Sequence, residues 1–366
     1  MSTLTAYPTV REALFYEKLK NEKVRCGLCE RRCEIPQGAK GFCKTRINMD
    51  GKLYTLVYGD ISAIESRPIE IKPFFHYWPG STALTFSTWS CNLDCVWCQN
   101  FHLSKTAPEP NEAIHYPPEK VVELAICDSD IGLCASFQEP TLLSEWAIPL
   151  FESGKAQGMK YCCYVSNGYM TLEVLKALCE AGMDGLKIDV KGSNETYKKH
   201  CGGADVEKIW RKVFEARKLG LHVEIVNLVV RDVNDDKESL QWIIERHLKE
   251  AGPETPLHFT RYFPAFKFNN PPTKVETLEK AYRMAKKAGV LYPYIGNVSG
   301  HKYESTYCPN CGEKLVRRHG YVILKYAITN DKRCPKCGTH IPITGEHIKR
   351  LNVHQRLRRF YARQKN

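Results

Sequence analysis

Short β-rich runs alternate with helix-length amphipathic segments through the middle of the chain. Between Ser81 and Asn297 this alternation occurs six times, and several helical segments end at a glycine. The β-rich runs are Thr82–Thr88, Ile131–Phe137, Lys160–Ser166, Gly185–Val190, Leu221–Val230 and Leu257–Phe263, and the helical segments include Thr171–Ala181, Asp205–Leu219, Lys237–Glu250 and Lys274–Lys287. The alternation predicts an α/β fold with a parallel sheet and helical crossovers.

Unusual polar residues follow the first four of these runs. Six units are fewer than the eight of a complete barrel, so the pattern alone leaves a doubly wound sheet and an incomplete barrel open. Both architectures bind ligands at the carboxyl ends of their strands. The polar residues at those positions are Cys91, Cys95 and Cys98, then Gln138, Glu139 and Thr141, then Ser166 and Asn167, and finally Asp189 and Lys191.

Composition and charge exclude several classes of protein. The chain has 366 residues, of which 43% are hydrophobic, so it is too apolar to be disordered. It contains no apolar run of the roughly 20 residues that cross a bilayer, and its start lacks the pattern of a secretory signal, so we expect a soluble, cytoplasmic protein. Seven of the lysines and arginines behind the net charge of +12 lie in the last twenty residues, which favours a solvated tail over a nucleic-acid contact.

The 17 cysteines divide the chain into regions. An odd number of cysteines without a secretory signal argues against a disulfide framework, and close spacings favour metal sites. Eleven of them form three clusters, whereas Cys127, Cys134, Cys162, Cys163, Cys179 and Cys201 are predicted to be mostly core residues. The predicted regions are an N-terminal cysteine-rich region (1–80), the α/β core (81–298), a zinc-ribbon or rubredoxin-like module (299–345) and the basic tail (346–366).

The two outer clusters contain four cysteines each. Cys308, Cys311, Cys334 and Cys337 form two C-P-x-C-G knuckles, which favour structural zinc over a single iron. Cys26, Cys29, Cys33 and Cys43 have spacings that suit zinc and an auxiliary iron–sulfur cluster about equally.

The central cluster, CNLDCVWC, has three cysteines and no fourth within 25 residues. Structural zinc normally takes four protein ligands, so three thiolates leave an open metal position that suits a reactive centre. A Cys₃His zinc site that includes His102 is the alternative.

The C-x₃-C-x₂-C spacing, with Trp97 before the last cysteine, resembles the signature of the radical S-adenosylmethionine (SAM) superfamily. CQN after the cluster, PFFHYWPGS before it and YIGNV near the end of the core resemble the radical SAM component of the AmmeMemoRadiSam system, which is related to pyruvate formate-lyase activating enzymes. The resemblance implies a partial (β/α)6 barrel. It also implies that Cys91, Cys95 and Cys98 hold a [4Fe-4S] cluster whose fourth iron binds SAM.

The resemblance also assigns candidate roles to residues after the strands. Trp97 would lie near the adenine, and Glu139 would accept the SAM ammonium, although Gln138 replaces a glycine of the usual motif. Ser166 and Asn167 would hold the SAM carboxylate and ribose, and Asp189 with Lys191 would support the SAM or a cation. The alternatives are core packing for the tryptophan, a turn for the Ser-Asn-Gly segment and a surface ion pair for the last two.

Two further positions are candidates for substrate contact. His258 and Arg261 alternate with apolar neighbours on the sixth run and are possible substrate residues, although a lone interior histidine is more often a core residue. After the fifth run, Val230–Asp235 lacks the Pro-Gly of many activating enzymes, which puts the shape of that loop in doubt.

The implied activity is reductive cleavage of SAM to methionine and a 5′-deoxyadenosyl radical, which abstracts hydrogen from an unidentified substrate. One alternative is an activating enzyme that installs a glycyl radical on a partner protein. Others are a zinc-rich nucleic-acid-binding protein and an iron–sulfur electron carrier without catalysis. Expected partners are an electron donor such as flavodoxin or ferredoxin, and Memo-type proteins or a glycyl-radical protein.

Overall fold

The computed structural model describes residues 4–349. Its strands are β1 (Arg11–Glu12), β2 (Tyr16–Lys18), β3 (Val24–Cys26), β4 (Glu34–Ile35), β5 (Arg46–Met49), β6 (Lys52–Thr55), β7 (Ala63–Pro68), β8 (Thr82–Ser87), β9 (Gly132–Ala135), β10 (Tyr161–Ser166), β11 (Gly185–Asp189), β12 (His222–Val229), β13 (Leu257–Arg261), β14 (Pro293–Gly296), β15 (Thr306–Tyr307), β16 (Lys314–His319) and β17 (Val322–Tyr326). Its α-helices are α1 (Phe101–Ser104), α2 (Pro118–Cys127), α3 (Ser144–Ala156), α4 (Leu172–Glu180), α5 (Asn194–His200), α6 (Val206–Lys218), α7 (Lys237–Glu250) and α8 (Val275–Ala288). Most of the predicted basic tail, residues 350–366, lies outside the described residues.

One large sheet forms the centre of the molecule. Strands β8 to β14 lie side by side in chain order and are parallel, and β7 pairs antiparallel with β8 at one edge. A doubly wound sheet reverses its strand order at a switch point, whereas this order runs in one direction throughout. Within residues 4–349 the edge strands β7 and β14 are not paired with each other, so the sheet is a partial barrel.

All six predicted β-rich runs are strands of this sheet, and the structure adds two more. The seventh parallel strand, β14, has only four residues and no helix after it, so it lacks the strand–helix alternation on which the prediction relied. Strand β7 has no clear alternation of buried and exposed residues because it lies at the sheet edge. Since β7 begins at Ala63, the sheet begins before residue 81, the predicted start of the core.

Three of the crossover helices, α4, α6 and α7, start at side-chain caps that the sequence supplies. Thr171 accepts a hydrogen bond from the backbone of Val174 at the start of α4, and Asp236 accepts one from Ser239 at the start of α7. Gly289 ends α8 in the left-handed conformation with φ of 105°. The helices pack on the sheet over a core in which Trp146 and Trp210 are fully buried. No helix in residues 4–349 is long and apolar enough to span a membrane.

Two small modules flank the barrel. Two three-stranded sheets, β1-β6-β5 and β2-β3-β4, form the N-terminal module, and β15-β16-β17 form the C-terminal one. Arg318 on β16 is buried and donates hydrogen bonds to the carbonyl oxygens of Phe75 and Glu304, at 2.8 and 3.3 Å. This arginine ties the C-terminal module to the segment that precedes β8.

Candidate functional site

A cavity of about 480 Å³ opens at the carboxyl ends of strands β8 to β13. Parallel strands bring their carboxyl ends to one edge, so the segments that follow them converge there. The lining includes ten residues singled out from the sequence: Cys91, Cys95, Cys98, Trp97, Gln138, Glu139, Ser166, Asn167, Asp189 and Lys191. The structure therefore brings this candidate set together, and the role of each residue remains a prediction.

The three thiols lie on a loop held in an uncommon backbone conformation. Ser90, directly before Cys91, has φ of 69°. The backbone N–H of Leu93 donates to the Cys91 Sγ at 3.3 Å, and the Cys98 Sγ lies 3.1 Å from the Ser104 hydroxyl. Bonds of this kind orient thiolates before a metal cluster binds.

Cys201, predicted to be a core residue, contacts this loop. Its thiol bonds to that of Cys95, and this bond lowers the pKa of Cys95 against the effect of burial, with help from the Lys191 and Lys105 charges. The loop backbone is also fixed here, because the N–H of Asp94 donates to the Cys201 carbonyl at 3.2 Å. The structure therefore favours Cys95 as a thiolate, whereas burial raises the pKa of Cys91.

Glu139 is a buried carboxylate that four hydrogen bonds surround. Its Oε1 accepts from the Thr141 N–H at 3.1 Å, the Thr141 hydroxyl at 2.5 Å and the Ser166 hydroxyl at 2.8 Å, and its Oε2 accepts from the Asn167 N–H at 2.8 Å. Burial nevertheless raises its pKa above the ordinary value, against these bonds. A cation in the cavity would offset that cost of burial.

Gln138, next to Glu139, lines the cavity with an amide that makes no hydrogen bond within the protein. Both its Oε1 and its Nε2 are buried without a hydrogen-bond partner. Phe137 before it has φ of 70°, and Asn100 donates to its carbonyl. Buried amide atoms without hydrogen-bond partners and a phenylalanine in the left-handed backbone conformation both reduce the free energy of unfolding. Such features are typical of binding sites.

Asn167 follows β10 and connects it to the loop that carries Cys91, Cys95 and Cys98. Its Oδ1 accepts from the Tyr169 N–H at 3.0 Å, which makes the predicted turn. Its Nδ2 donates to the Asn92 Oδ1 at 2.7 Å and to the Cys91 Sγ at 3.8 Å. The segment therefore forms the turn and also lines the cavity, and its contact with SAM stays a prediction.

Asp189 ends β11 and Lys191 follows that strand. Lys187, a residue that was not predicted from the sequence, lines the cavity with them. Lys187 is 5% exposed and donates to the Asp189 Oδ1 at 2.7 Å, so Asp189 belongs to a cavity-lining ion pair. Burial would raise the pKa of Asp189, but the Lys187 and Lys191 charges lower it below its ordinary value. Although burial opposes it, the Asp189 and Cys95 charges raise the pKa of Lys191. The sequence does contain a signal for the role of Lys187, because it is a lysine within an otherwise apolar run, Gly185–Val190.

The loop after β12 has a definite shape without a Pro-Gly pair. Asn234 accepts from the Val230 N–H at 2.6 Å and donates to the Lys191 and Leu228 carbonyl oxygens at 2.7 and 3.0 Å. One buried amide therefore closes the loop and holds the backbone that carries Lys191.

Trp97 is both a core residue and a cavity-lining residue. It is buried, and its ring lies 5.3 Å from that of His200 and 5.5 Å from that of Phe268. These neighbours fix the indole plane at the cavity wall.

A second cavity, of about 650 Å³, adjoins the first and lies against the C-terminal module. Both cavities are lined by Ile71, Pro73, Gln99, Thr260, Asn297 and Tyr321. The hydroxyl of Thr260 is buried without a hydrogen-bond partner. Tyr321 lies at the turn between β16 and β17, so the C-terminal hairpin forms part of the wall that the two cavities share.

The two candidate substrate residues occupy different positions. His258 lines the second cavity, but its Nε2 bonds to the fully buried Glu224 carboxylate at 2.7 Å. Arg261 donates from Nε to the Thr273 carbonyl at 2.8 Å, and within the described residues it is not part of the lining of either cavity.

The four C-terminal cysteines lie close enough together to bind one metal ion. The ligand atoms of Cys308, Cys311, Cys334 and Cys337 all lie within 4.8 Å of one another. Two of the sulfur–sulfur distances are 3.5 and 3.7 Å. Metal–sulfur bonds of about 2.3 Å in a tetrahedron place the sulfurs roughly 3.8 Å apart, so the geometry suits one metal ion.

The remaining cysteines are mostly interior, as predicted. Cys134, Cys162, Cys163 and Cys201 are buried and Cys179 is half-buried. Cys127 is exposed at the end of α2, where the apolar face of the helix does not reach it.

Comparisons with known proteins place the chain among relatives of known family. The model of the radical SAM superfamily matches residues 87–243. An uncharacterized protein of Methanocaldococcus jannaschii is 41% identical over 338 residues, which are 91% of this chain and 99% of that protein. A GTP 3′,8-cyclase of Aquifex aeolicus is 25% identical over 215 residues, and the match covers 56% of this chain and 63% of the cyclase. A solved domain of a pyruvate-formate lyase-activating enzyme from Bacteroides vulgatus matches 45% of this chain and 99% of its own, with 18% identity and a TM-score of 0.39.

The chain belongs to the radical SAM superfamily, which confirms the resemblance of its cysteine motif to that superfamily; the resemblance to the AmmeMemoRadiSam component stays a prediction. The protein is thus an enzyme whose general chemistry is reductive cleavage of SAM, and its cofactors are a [4Fe-4S] cluster and SAM.

Proposed function

We propose that this enzyme cleaves SAM in the first cavity and uses the resulting radical to take a hydrogen atom from a small molecule in the second. The observation that carries the proposal is the continuity of the two cavities, which have six lining residues in common. The second cavity, at about 650 Å³, has the size of a small-molecule site. This volume favours a small substrate over the glycyl-radical loop of a partner protein.

The residues around the first cavity fit the cofactors. Three thiols supply three iron ligands and leave one iron for SAM. The orphaned amide of Gln138 and the buried carboxylate of Glu139 offer hydrogen-bond groups to an amino acid moiety. When bound and reduced, the cluster supplies the electron that breaks the C5′–S bond of SAM.

The residues of the chain position this chemistry. Glu139 is held by Thr141 and Ser166, so its carboxylate keeps one orientation. Lys191, held at its carbonyl by Asn234, places a positive charge beside Cys95. Trp97 closes one side of the cavity against water. These groups orient the reactants and exclude solvent.

Anaerobic reconstitution tests the proposal. With iron, sulfide, SAM and reduced flavodoxin, the protein should form 5′-deoxyadenosine, and Cys95→Ala should abolish it, while the exposed-cysteine control Cys127→Ala should not. In deuterated metabolite extracts, deuterium should pass from a small molecule into 5′-deoxyadenosine. An assembled cluster that cleaves no SAM would contradict catalysis, and deuterium transfer only from a partner protein would favour the activating-enzyme alternative.

We further propose that the C-terminal four-cysteine group binds zinc. The compact sulfur geometry supports a single ion, and its hairpin carries Tyr321 to the cavity wall. Zinc there would have a structural role, because four thiolates leave no position open for chemistry.

A further inference from the structure

We propose that the N-terminal cysteines hold a second iron–sulfur cluster, packed against the loop that carries the catalytic one. Cys26, Cys29, Cys33 and Cys43 line one small cavity. Cys26 ends β3, and its N–H donates to the Cys33 carbonyl at 2.9 Å, so the pairing of β3 with β4 brings these two of the four residues together.

The spread of these four thiols distinguishes a cluster from a single ion. Among residues 4–349, the C-terminal cysteines are the one group of three or more His, Cys, Asp or Glu side chains whose ligand atoms all lie within 4.8 Å. Among the described residues, neither the N-terminal thiols nor the three thiols of the radical SAM motif form such a group. A tetrahedral zinc ion needs sulfurs roughly 3.8 Å apart, whereas an iron–sulfur cluster occupies the space between its thiolates and keeps them farther apart.

Arg46 makes this cavity suitable for an anionic cluster. Its side chain is 1% exposed, and it lines the same cavity as the four thiols. One terminal nitrogen donates to the Leu142 carbonyl at 2.9 Å and to the Glu145 carboxylate at 2.7 Å. Its Nε and its other terminal nitrogen are buried without a partner. A buried guanidinium with free donors beside thiols would be costly unless an acceptor such as cluster sulfur occupied the cavity.

The cavity also touches the catalytic loop. Asn92, the residue after Cys91, is part of its lining, and the Asn92 carbonyl accepts from the Arg31 Nε at 2.5 Å. On the other side of Cys91, the Ser90 hydroxyl donates to the Cys43 carbonyl at 2.6 Å. A cluster ligand of the N-terminal module therefore holds the residue that precedes a cluster ligand of the barrel. This contact would join a residue that holds the second cluster to the neighbour of Cys91.

Metal and sulfide analysis of the full chain tests the proposal without an activity assay. A variant with Cys91, Cys95 and Cys98 changed to alanine should keep two to four irons and matching sulfide per chain after anaerobic reconstitution. Its reduced form should give an electron paramagnetic resonance signal that SAM does not change. A Cys29→Ala, Cys33→Ala double variant should instead lose that iron and keep a SAM-sensitive signal.

The outcome that would overturn the proposal is a catalytic-cysteine variant that is free of iron and holds two zinc ions per chain. If the double variant fails to fold, the metal content of the catalytic-cysteine variant alone decides. A wild-type protein that holds the second cluster but cleaves no SAM would contradict the proposed function and leave this inference standing.

Discussion

The substitution Glu139→Gln removes the negative charge of the side chain and keeps its shape. In Glu139→Gln, the NH₂ group must face either the three donors around Oε1 or the single Asn167 N–H at Oε2. The second arrangement loses fewer bonds, because it sacrifices only the 2.8 Å bond from Asn167. It also removes the negative charge that we propose pairs with the SAM ammonium.

Loss of a hydrogen bond to a charged group costs about 1.5–3 kcal/mol. At about 1.4 kcal/mol per factor of ten, the dissociation constant of SAM should rise roughly 10- to 100-fold. Equilibrium dialysis of SAM against the reconstituted protein measures this change, and the formation of 5′-deoxyadenosine at saturating SAM measures the remaining catalysis.

Thr141→Val is the matched control for Glu139→Gln. It removes the 2.5 Å hydroxyl donor from the same carboxylate but keeps the charge. We expect its SAM affinity to change less than about fivefold, since a hydrogen bond within the protein contributes only about 1 kcal/mol on average and the negative charge is kept. If Glu139→Gln with a full complement of iron bound SAM as tightly as the wild type, Glu139 would not be the ammonium acceptor.

Three further predictions concern charge, pH and metal. Lys191→Met removes the cation beside Cys95, so the reduced cluster should be less stable and its reduction potential more negative in a redox titration. Lys198→Met, which removes an exposed lysine, is the control and should leave the potential unchanged. An unchanged potential in both variants would refute the argument. Burial lowers the pKa of His76 to about 3, so below about pH 6.5 the unfolded chain binds a proton that the folded chain does not, and stability should fall by roughly 1.4 kcal/mol per pH unit. The melting temperature should therefore drop from pH 6.5 to pH 5, and less steeply in His76→Gln; equal slopes would assign the effect to other groups. Cys311→Ser should remove about one zinc per chain and no iron, whereas loss of iron would place an iron centre at the C-terminal site.

The strands and the candidate site could be predicted because both follow from local patterns. The parallel strands are continuous apolar runs, and the polar residues after them interrupt the pattern where ligands bind. Strand β14 and edge strand β7 could not be found in this way, because one has no helix after it and the other has no clear burial pattern.

What the sequence could not supply is the pairing of distant residues. The closeness of Cys201 to Cys95, the bond between Ser90 and Cys43, and the ion pair of Arg46 with Glu145 join residues 47 to 106 positions apart, so nothing in the neighbouring sequence indicates them. The proposal of a cluster at the N-terminal cysteines likewise rests on how the fold groups the thiols, which spacing in the chain does not determine.

The docking of the N-terminal module has a consequence for the biogenesis of the enzyme. Backbone bonds join Glu30 to Tyr169 and Thr171 to Leu28, and Arg31 donates to the Gly202 carbonyl. These partners leave the ribosome long after the first cysteines, so the module cannot complete its contacts until more than half of the barrel has been synthesised. Until then the module that carries the four thiols is not fixed against the barrel by these bonds. Assembly factors that deliver iron and sulfide would therefore meet their proper site only late in translation or after release of the chain.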